Sequence, residues 1–159
     1  MFPDRHLCKV TALPLEMGGL SVLDIGGYNG ALAAECVQRG ASPTTVVDSE
    51  QWRLYQDYET RERPKGVEFV VQDIMEYEHP ADIVLAFDVF YHMKAPYLFA
   101  EKLAQLTRKM LCLSTRYVNG DDDMWKLFRP REQHYNDPTV FWKPTLGSLH
   151  KMLGIVGFR

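Results

Sequence analysis

A chain of 159 residues, 46% hydrophobic and 25% charged, has the length of one domain with its own core, and that composition excludes a disordered or fibrous chain. Eighteen basic against 21 acidic residues, a net charge of -3, exclude a general polycationic coat for nucleic acid while leaving room for a local basic face. Cys8, Cys36 and Cys112 have no CxxC spacing, which speaks against a zinc site or a disulfide framework and predicts a reducing compartment, the cytoplasm.

The first twenty residues are broken by charges and prolines, and no apolar run approaches the roughly 18 residues of a membrane span. A soluble chain with no export signal is expected. Short Val, Ile and Leu runs then alternate with amphipathic stretches, the pattern of a parallel sheet covered by helices. Strands are predicted at Ser21 to Ile25, Thr44 to Val47, Val67 to Val71, Ile83 to Phe87 and Leu111 to Thr115. Helices are predicted at Ala31 to Arg39, closed by Gly40, at Gln51 to Thr60, and at Pro96 to Lys109, opened by its proline. Gln72 to Pro80 has room for a turn or two only. From Tyr117 to Pro144 the period is lost among Asn119-Gly120, Asp121 to Asp123, three prolines and six aromatics, so this stretch reads as an excursion within a single domain. Thr145 can then cap a short helix with Leu146, Leu149, Met152 and Leu153 on one face, before Gly154 and Gly157 loosen it.

The most informative stretch is Val22-Leu23-Asp24-Ile25-Gly26-Gly27-Tyr28-Asn29-Gly30, a strand entering a glycine-rich turn before an alanine-rich helix. Glycines let backbone amides approach a ligand, and the helix start adds unpaired N–H groups and partial positive charge. The dinucleotide fingerprint GxGxxG is absent, and Asp24 would crowd phosphates, so the turn favours a cationic ligand. Asp48 follows the second strand about 20 residues on, where an acid can accept both hydroxyls of a ribose. Asp73 follows the third. For any single aspartate after a strand, a helix cap or solvated turn is the ordinary alternative; three in series on one rim suggest a site.

These residues resemble the class I S-adenosylmethionine-dependent methyltransferases over residues 20 to 158. VLDIGGYNG is similar to the family's first motif, DxGxGxG, with Asp24, Gly26 and Gly30 matching, Gly27 within it, and Tyr28 where a central glycine is commoner. The resemblance implies a doubly wound, Rossmann-like α/β fold with helices on both faces, S-adenosyl-L-methionine as cofactor, ribose held by Asp48 and adenine met by Asp73 and Ile74. It implies a wall for the methionine end in Tyr28, whose backbone is expected to avoid conformations only glycine accepts. Ala81-Asp82-Ile83-Val84-Leu85-Ala86-Phe87-Asp88-Val89-Phe90-Tyr91-His92 resembles the fourth-strand motif, which adds Phe87 to the cofactor contacts. Its Tyr-His ending is similar to the branch containing tRNA wobble-uridine carboxymethyltransferase, a likeness continued by Trp142-Lys143-Pro144 and Gly157-Phe158. That branch uses basic groups from an N-terminal region, and one near its C-terminus, to meet the extra carboxylate of a modified cofactor. No counterpart is placed in this sequence, so ordinary S-adenosyl-L-methionine is expected.

The family sheet has two further strands where this chain stops, which implies a sheet shortened at the C-terminus and an exposed fifth strand. The excursion, a second copy or another partner is expected to cover that edge, unless the chain is trimmed. Methyl transfer from a sulfonium is an in-line displacement, so alignment carries much of the rate and a base is optional. Tyr91 would shape the methyl end of the pocket and His92 would serve as a base if one is used, or they pack and cap a turn instead. Asp88 would contact an acceptor amine or cap the following helix. Aromatic and basic residues of the excursion, Trp125, Arg129 and Trp142 among them, could clamp a small molecule or an unpaired RNA base, or form a satellite cluster under a loop. Asp121 to Asp123 beside Asn-Gly read as a solvated turn rather than a metal site. A non-catalytic, cofactor-binding subunit or regulator is the alternative function.

Overall fold

A computed structural model describes residues 5–49, 63–128 and 139–159. The chain opens with α1 (Arg5–Thr11), then β1 (Val22–Ile25), α2 (Ala31–Gln38), β2 (Thr44–Asp48), β3 (Glu68–Val71) and β4 (Ala81–Phe87). A 3₁₀ turn (Phe90–His92), α3 (Pro96–Leu106), β5 (Thr107–Ser114), β6 (Trp125–Leu127), β7 (Trp142–Pro144) and α4 (Leu146–Ile155) complete it. The helix expected at Gln51 to Thr60 lies outside the described residues, as does Arg129.

Five strands form one sheet in the order β3-β2-β1-β4-β5, and β1 pairs in parallel with both β2 and β4. This is the expected α/β class. Parallel pairing brings the carboxyl ends of β1, β2 and β3 to one rim, where Asp24, Asp48 and Asp73 lie at or just beyond the strand ends. The chain moves outward from β1 in one direction through β2 and β3, then in the other through β4 and β5, so β1 and β4 flank the switch point of the sheet.

Tertiary contacts divide the chain into two units, Met1–Phe87 with Leu106–Leu113, and Asp88–Gln105 with Ser114–Arg159. In the first, β1 is buried along its whole length and shares a core with Leu13, Met17, Cys36, Ala41, Ile83, Leu85, Phe87 and Cys112. At the amino ends of the strands Asp82 accepts from the Ser21 N–H (3.1 Å) and hydroxyl (3.0 Å) and pairs with Lys109 (3.1 Å). Those bonds hold the Asp82 carboxyl below its ordinary range. In the second unit Phe90 packs edge-on against Phe99, centroids 5.3 Å apart, and against Trp125 at 5.8 Å.

Four expectations are corrected. The third predicted helix ends at Leu106 rather than Lys109, and β5 begins directly at Thr107 rather than Leu111. Arg108 and Lys109 look like the cationic last turn of a helix, but both belong to β5, which is hydrogen-bonded beside β4, and that sheet pairing overrides the local pattern. The excursion contains a two-stranded antiparallel ribbon, β6 with β7, whose strands are too short to show a period. Leu146, placed on the buried face of α4, is 58% exposed because the apolar stripe runs off the helix at its first residue, whereas Leu149 is buried. Tyr28 occupies the left-handed region at φ 50°, which a non-glycine residue enters at about 1 kcal/mol. Thr145 caps α4 as expected, accepting from the Ser148 N–H.

Candidate functional site

Outside β1 and β4, at the switch point, a cavity of about 210 Å³ is lined by Lys9, Asp24, Gly26, Gly27, Tyr28, Asn29, Ala31, Leu32 and Phe87. Its floor is built by the turn after β1. The Gly26 N–H donates to Val47 O (2.8 Å) and the Gly30 N–H to Gly27 O (2.8 Å), which closes the turn before α2 starts. Glycine is required at 27 by space: a Cβ there would lie 2.5 Å from Asp24 Oδ2. At Gly30, φ 73°, a Cβ would lie 2.6 Å from the Phe69 ring, so this glycine serves close packing of the helix start rather than the cavity wall.

Asp24 is 1% exposed, and its Oδ2 has no hydrogen-bond partner. Burial pushes its carboxyl from 3.8 up to about 7, against the pull of Lys9 and a bond from the Ala33 N–H, with Asp48 adding to the rise. A half-ionised acid with an unmet oxygen lining a cavity is a receptor for a cation or a strong donor. Asp48 lies beyond the cavity lining. Its Oδ2 accepts from the Tyr28 N–H (3.3 Å) and its Oδ1 from the Ser49 N–H (2.8 Å), which orients the carboxylate while each oxygen keeps a lone pair. Burial raises the Asp48 carboxyl and these two bonds lower it. Asp73 is exposed and its Oδ1 accepts from the Met75 N–H (2.9 Å), the cap reading of this residue, while Ile74 beside it is buried. The cavity therefore gathers Asp24, Gly26, Gly27, Tyr28 and Phe87 and leaves Gly30, Asp48, Asp73 and Ile74 outside its lining.

Lys9 was missed by the sequence reading, which placed no basic group from the N-terminal segment at the site. Its Nζ lies 5.8 Å from the centroid of the Phe87 ring. The segment that carries it is pinned by Arg39, whose guanidinium donates to Val10 O (3.1 Å), Leu13 O (3.0 Å) and Pro14 O (2.9 Å) and pairs with Glu35. No motif signals this; a seven-residue helix followed by a proline has too few turns to show a period.

The remaining candidates fall in the second unit. Tyr91 is 6% exposed under the Arg116 guanidinium, 4.8 Å from its ring, and stacks obliquely on His92 with centroids 4.3 Å apart. His92 Nδ1 lies 3.0 Å from Thr139 O and 2.8 Å from Thr139 Oγ1. Asp88 is held at φ 60°, its N–H on Ser114 O (3.0 Å) and its Oδ1 near the Ser114 hydroxyl (3.4 Å). Trp125 packs on Phe90, and Trp142 Nε1 donates to Lys94 O (3.1 Å). Asp123 is paired with Lys151. Among the described residues no helix is long and apolar enough to cross a membrane.

Comparison with known proteins places these features in context. The tRNA U34 carboxymethyltransferase of Chromohalobacter salexigens is 30% identical over 163 residues, covering 92% of this chain and 46% of that protein. The chain spans about half the length of the curated relatives it matches. Among solved structures, an S-adenosylmethionine-dependent methyltransferase from Mesorhizobium loti superposes with a TM-score of 0.73 at 18% identity, covering 96% of this chain and 80% of that one. Phospholethanolamine N-methyltransferase 2 of Haemonchus contortus, solved with phosphomonomethylethanolamine and S-adenosylhomocysteine, gives 0.69 at 17% identity, covering 98% of this chain and 38% of that one. At such identities the structures establish the fold. The family model described as a methyltransferase domain matches residues 5–159, and the chain belongs to that family.

Proposed function

We propose that this chain binds S-adenosyl-L-methionine in the switch-point cavity and transfers its methyl group to a small molecule or an RNA base. The observation that carries the reading is the buried Asp24 carboxylate with its unpartnered Oδ2, in a cavity that Gly27 keeps open. The residues fit the cofactor: Asp24 would meet a cationic amine, the Gly26 to Tyr28 backbone would hold its amino-acid end, and Phe87 would offer an apolar wall. Asp48, oriented by the Tyr28 and Ser49 N–H groups, would take the ribose hydroxyls, and Asp73 with Ile74 the adenine. When bound, the cofactor supplies an electrophilic methyl on a sulfonium.

On the acceptor side, Thr139 fixes the His92 ring through Nδ1. In the tautomer that donates from Nδ1 to Thr139 O, Nε2 can accept a proton. Tyr91, Asp88, Trp125, Arg129 and Trp142 are assigned to positioning the acceptor. The likeness to a tRNA-modifying enzyme supports an RNA base. Free Cys8, Cys36 and Cys112 suit the cytoplasm. Among the described residues no strand pairs with the outer edge of β5, and we assign that edge to a second copy or a partner.

Calorimetric titration with S-adenosyl-L-methionine and S-adenosylhomocysteine, followed by labelled-methyl transfer to bulk tRNA, tests the reading. Saturable binding with methyl incorporation is expected. Binding without incorporation assigns the alternative, a cofactor-binding subunit or regulator, and absence of binding refutes both.

A further inference from the structure

Asp24 stands where a carboxyl is pressed to give up its charge. It is buried at the end of β1 with Oδ2 unpartnered, and the Ala33 N–H supports the carboxylate. Such an acid takes a proton unless an opposite charge is held near it. The elements packed around it differ in what they offer. In β2, Val46 lies beside Asp24 in register and Asp48 follows two residues on, an acid that repels a second negative charge. In β4 the register partner is Leu85, which carries no charge. In α2, burial holds the Cys36 thiol neutral, its titration pushed up to about 12, and Arg39 is committed to three carbonyls and to Glu35. Among the described residues lining the cavity, the basic group is Lys9 of α1, and its charge draws the Asp24 carboxyl down. Lys9 acts by charge rather than by contact. An ammonium stays positive whichever acceptors its three N–H groups meet, and a charge in a cavity walled by protein is felt more strongly than one in water. Its Nζ lies by the Phe87 ring of the same cavity, and the Arg39 fork fixes the backbone from Val10 to Pro14 that follows it.

We propose that Lys9 is a positioning residue for the cofactor: its ammonium keeps the Asp24 carboxyl ionised, and the Asp24 carboxylate takes the ammonium of the cofactor's amino-acid end. The inference rests on the cofactor reading above for its second half only. A protonated Asp24 would offer a cation a neutral acceptor, whereas the ionised form offers a full charge and a charge-assisted hydrogen bond. Occupancy of the site is thereby tied to the fraction of Asp24 that is ionised, and Lys9 sets that fraction from α1, an element that carries none of the motif residues.

Two measurements on the full chain test this, and each compares Lys9→Met and Lys9→Arg with the wild type, so that every other charge is common to all three. In ligand-free protein carrying carboxyl-¹³C aspartate, the Asp24 resonance, identified as the one lost in Asp24→Asn, is followed against pH. Its midpoint is expected to rise by about one pH unit in Lys9→Met, the lower end of the effect of a nearby opposite charge, and to stay at the wild-type value in Lys9→Arg. Calorimetric affinity for S-adenosylhomocysteine is then measured at about pH 6, about pH 7 and about pH 8.5. From a wild-type midpoint of about 7, the ionised fractions make Lys9→Met bind about tenfold more weakly at the lowest pH, about fivefold at the middle one and within about twofold at the highest, with the Lys9→Arg ratio flat. An unmoved Asp24 midpoint in Lys9→Met, or a Lys9→Arg midpoint that follows it, overturns the inference. So does a loss of affinity in Lys9→Met that is equal at every pH, which assigns Lys9 a direct contact with the ligand. A moved midpoint in a protein whose wild type does not bind S-adenosylhomocysteine supports the hold of Lys9 on Asp24 and refutes the cofactor reading.

Discussion

Replacing Asp24 by asparagine tests whether the acid at the end of β1 is kept for a ligand rather than for the fold. In the unfolded chain its carboxyl titrates at 3.8, and in the folded chain at about 7. Holding it ionised in the folded state therefore costs about 4 kcal/mol, at 1.36 kcal/mol per pH unit. The sign follows from proton binding. Below pH 3.8 both states are protonated and there is no penalty; as pH rises toward 7 the folded state holds its proton more tightly, so stability declines, and above about 7 the full cost applies. The Asp24→Asn side chain carries no such cost, and its amide oxygen still accepts from the Ala33 N–H. Urea unfolding at about pH 5 and about pH 8.5 should show the variant more stable than wild type at both. The gap should widen by about 3 kcal/mol between them, since part of the cost has already accrued at the lower pH. The same variant should lose measurable affinity for S-adenosylhomocysteine, a trade of function for stability. A gap that is flat or narrows with pH, or retained affinity, would refute the reasoning.

Asp48→Ala should weaken cofactor binding by about 1–3 kcal/mol in calorimetry, the cost of ribose hydroxyls left unpaired; an unchanged Kd removes Asp48 from the site. Arg39→Ala takes the donor from three carbonyls and the partner from Glu35, so unfolding free energy should fall by about 2–3 kcal/mol, and a fall below about 0.5 would show that water replaces the fork. His92→Ala should lower methyl transfer by about 10²–10⁴-fold with S-adenosylhomocysteine affinity intact if the imidazole is a base, and unchanged turnover leaves alignment alone as the source of rate.

The sheet was legible because its central strands are short and rich in Val, Ile and Leu, the signature of burial on both faces, and β1 is buried at every residue, Asp24 included. The turn after it was legible too, since adjacent glycines announce positive φ or close approach, and Gly26 has the one and Gly27 the other. What the sequence hid was set by tertiary contact. Lys109 looks helical until β5 is paired beside β4, and Lys9 belongs to no motif because a guanidinium at the end of α2 delivers its segment to the cavity. The ribbon hid for a different reason: three residues a side cannot show alternation, and only pairing reveals that Lys126 faces Lys143.

The Arg39 fork sets where a working version of this domain has to start. Its three acceptors are spread over residues 10–14, immediately after the lysine that walls the cavity, and it projects from the far end of the same helix whose first turn forms another wall. Cutting the gene at the first strand, the boundary that a glance at the motif invites, would strip a guanidinium of its carbonyls and unroof the pocket in a single step. Residues 9–14 are consequently a structural member of the cavity's surroundings and not dispensable to it.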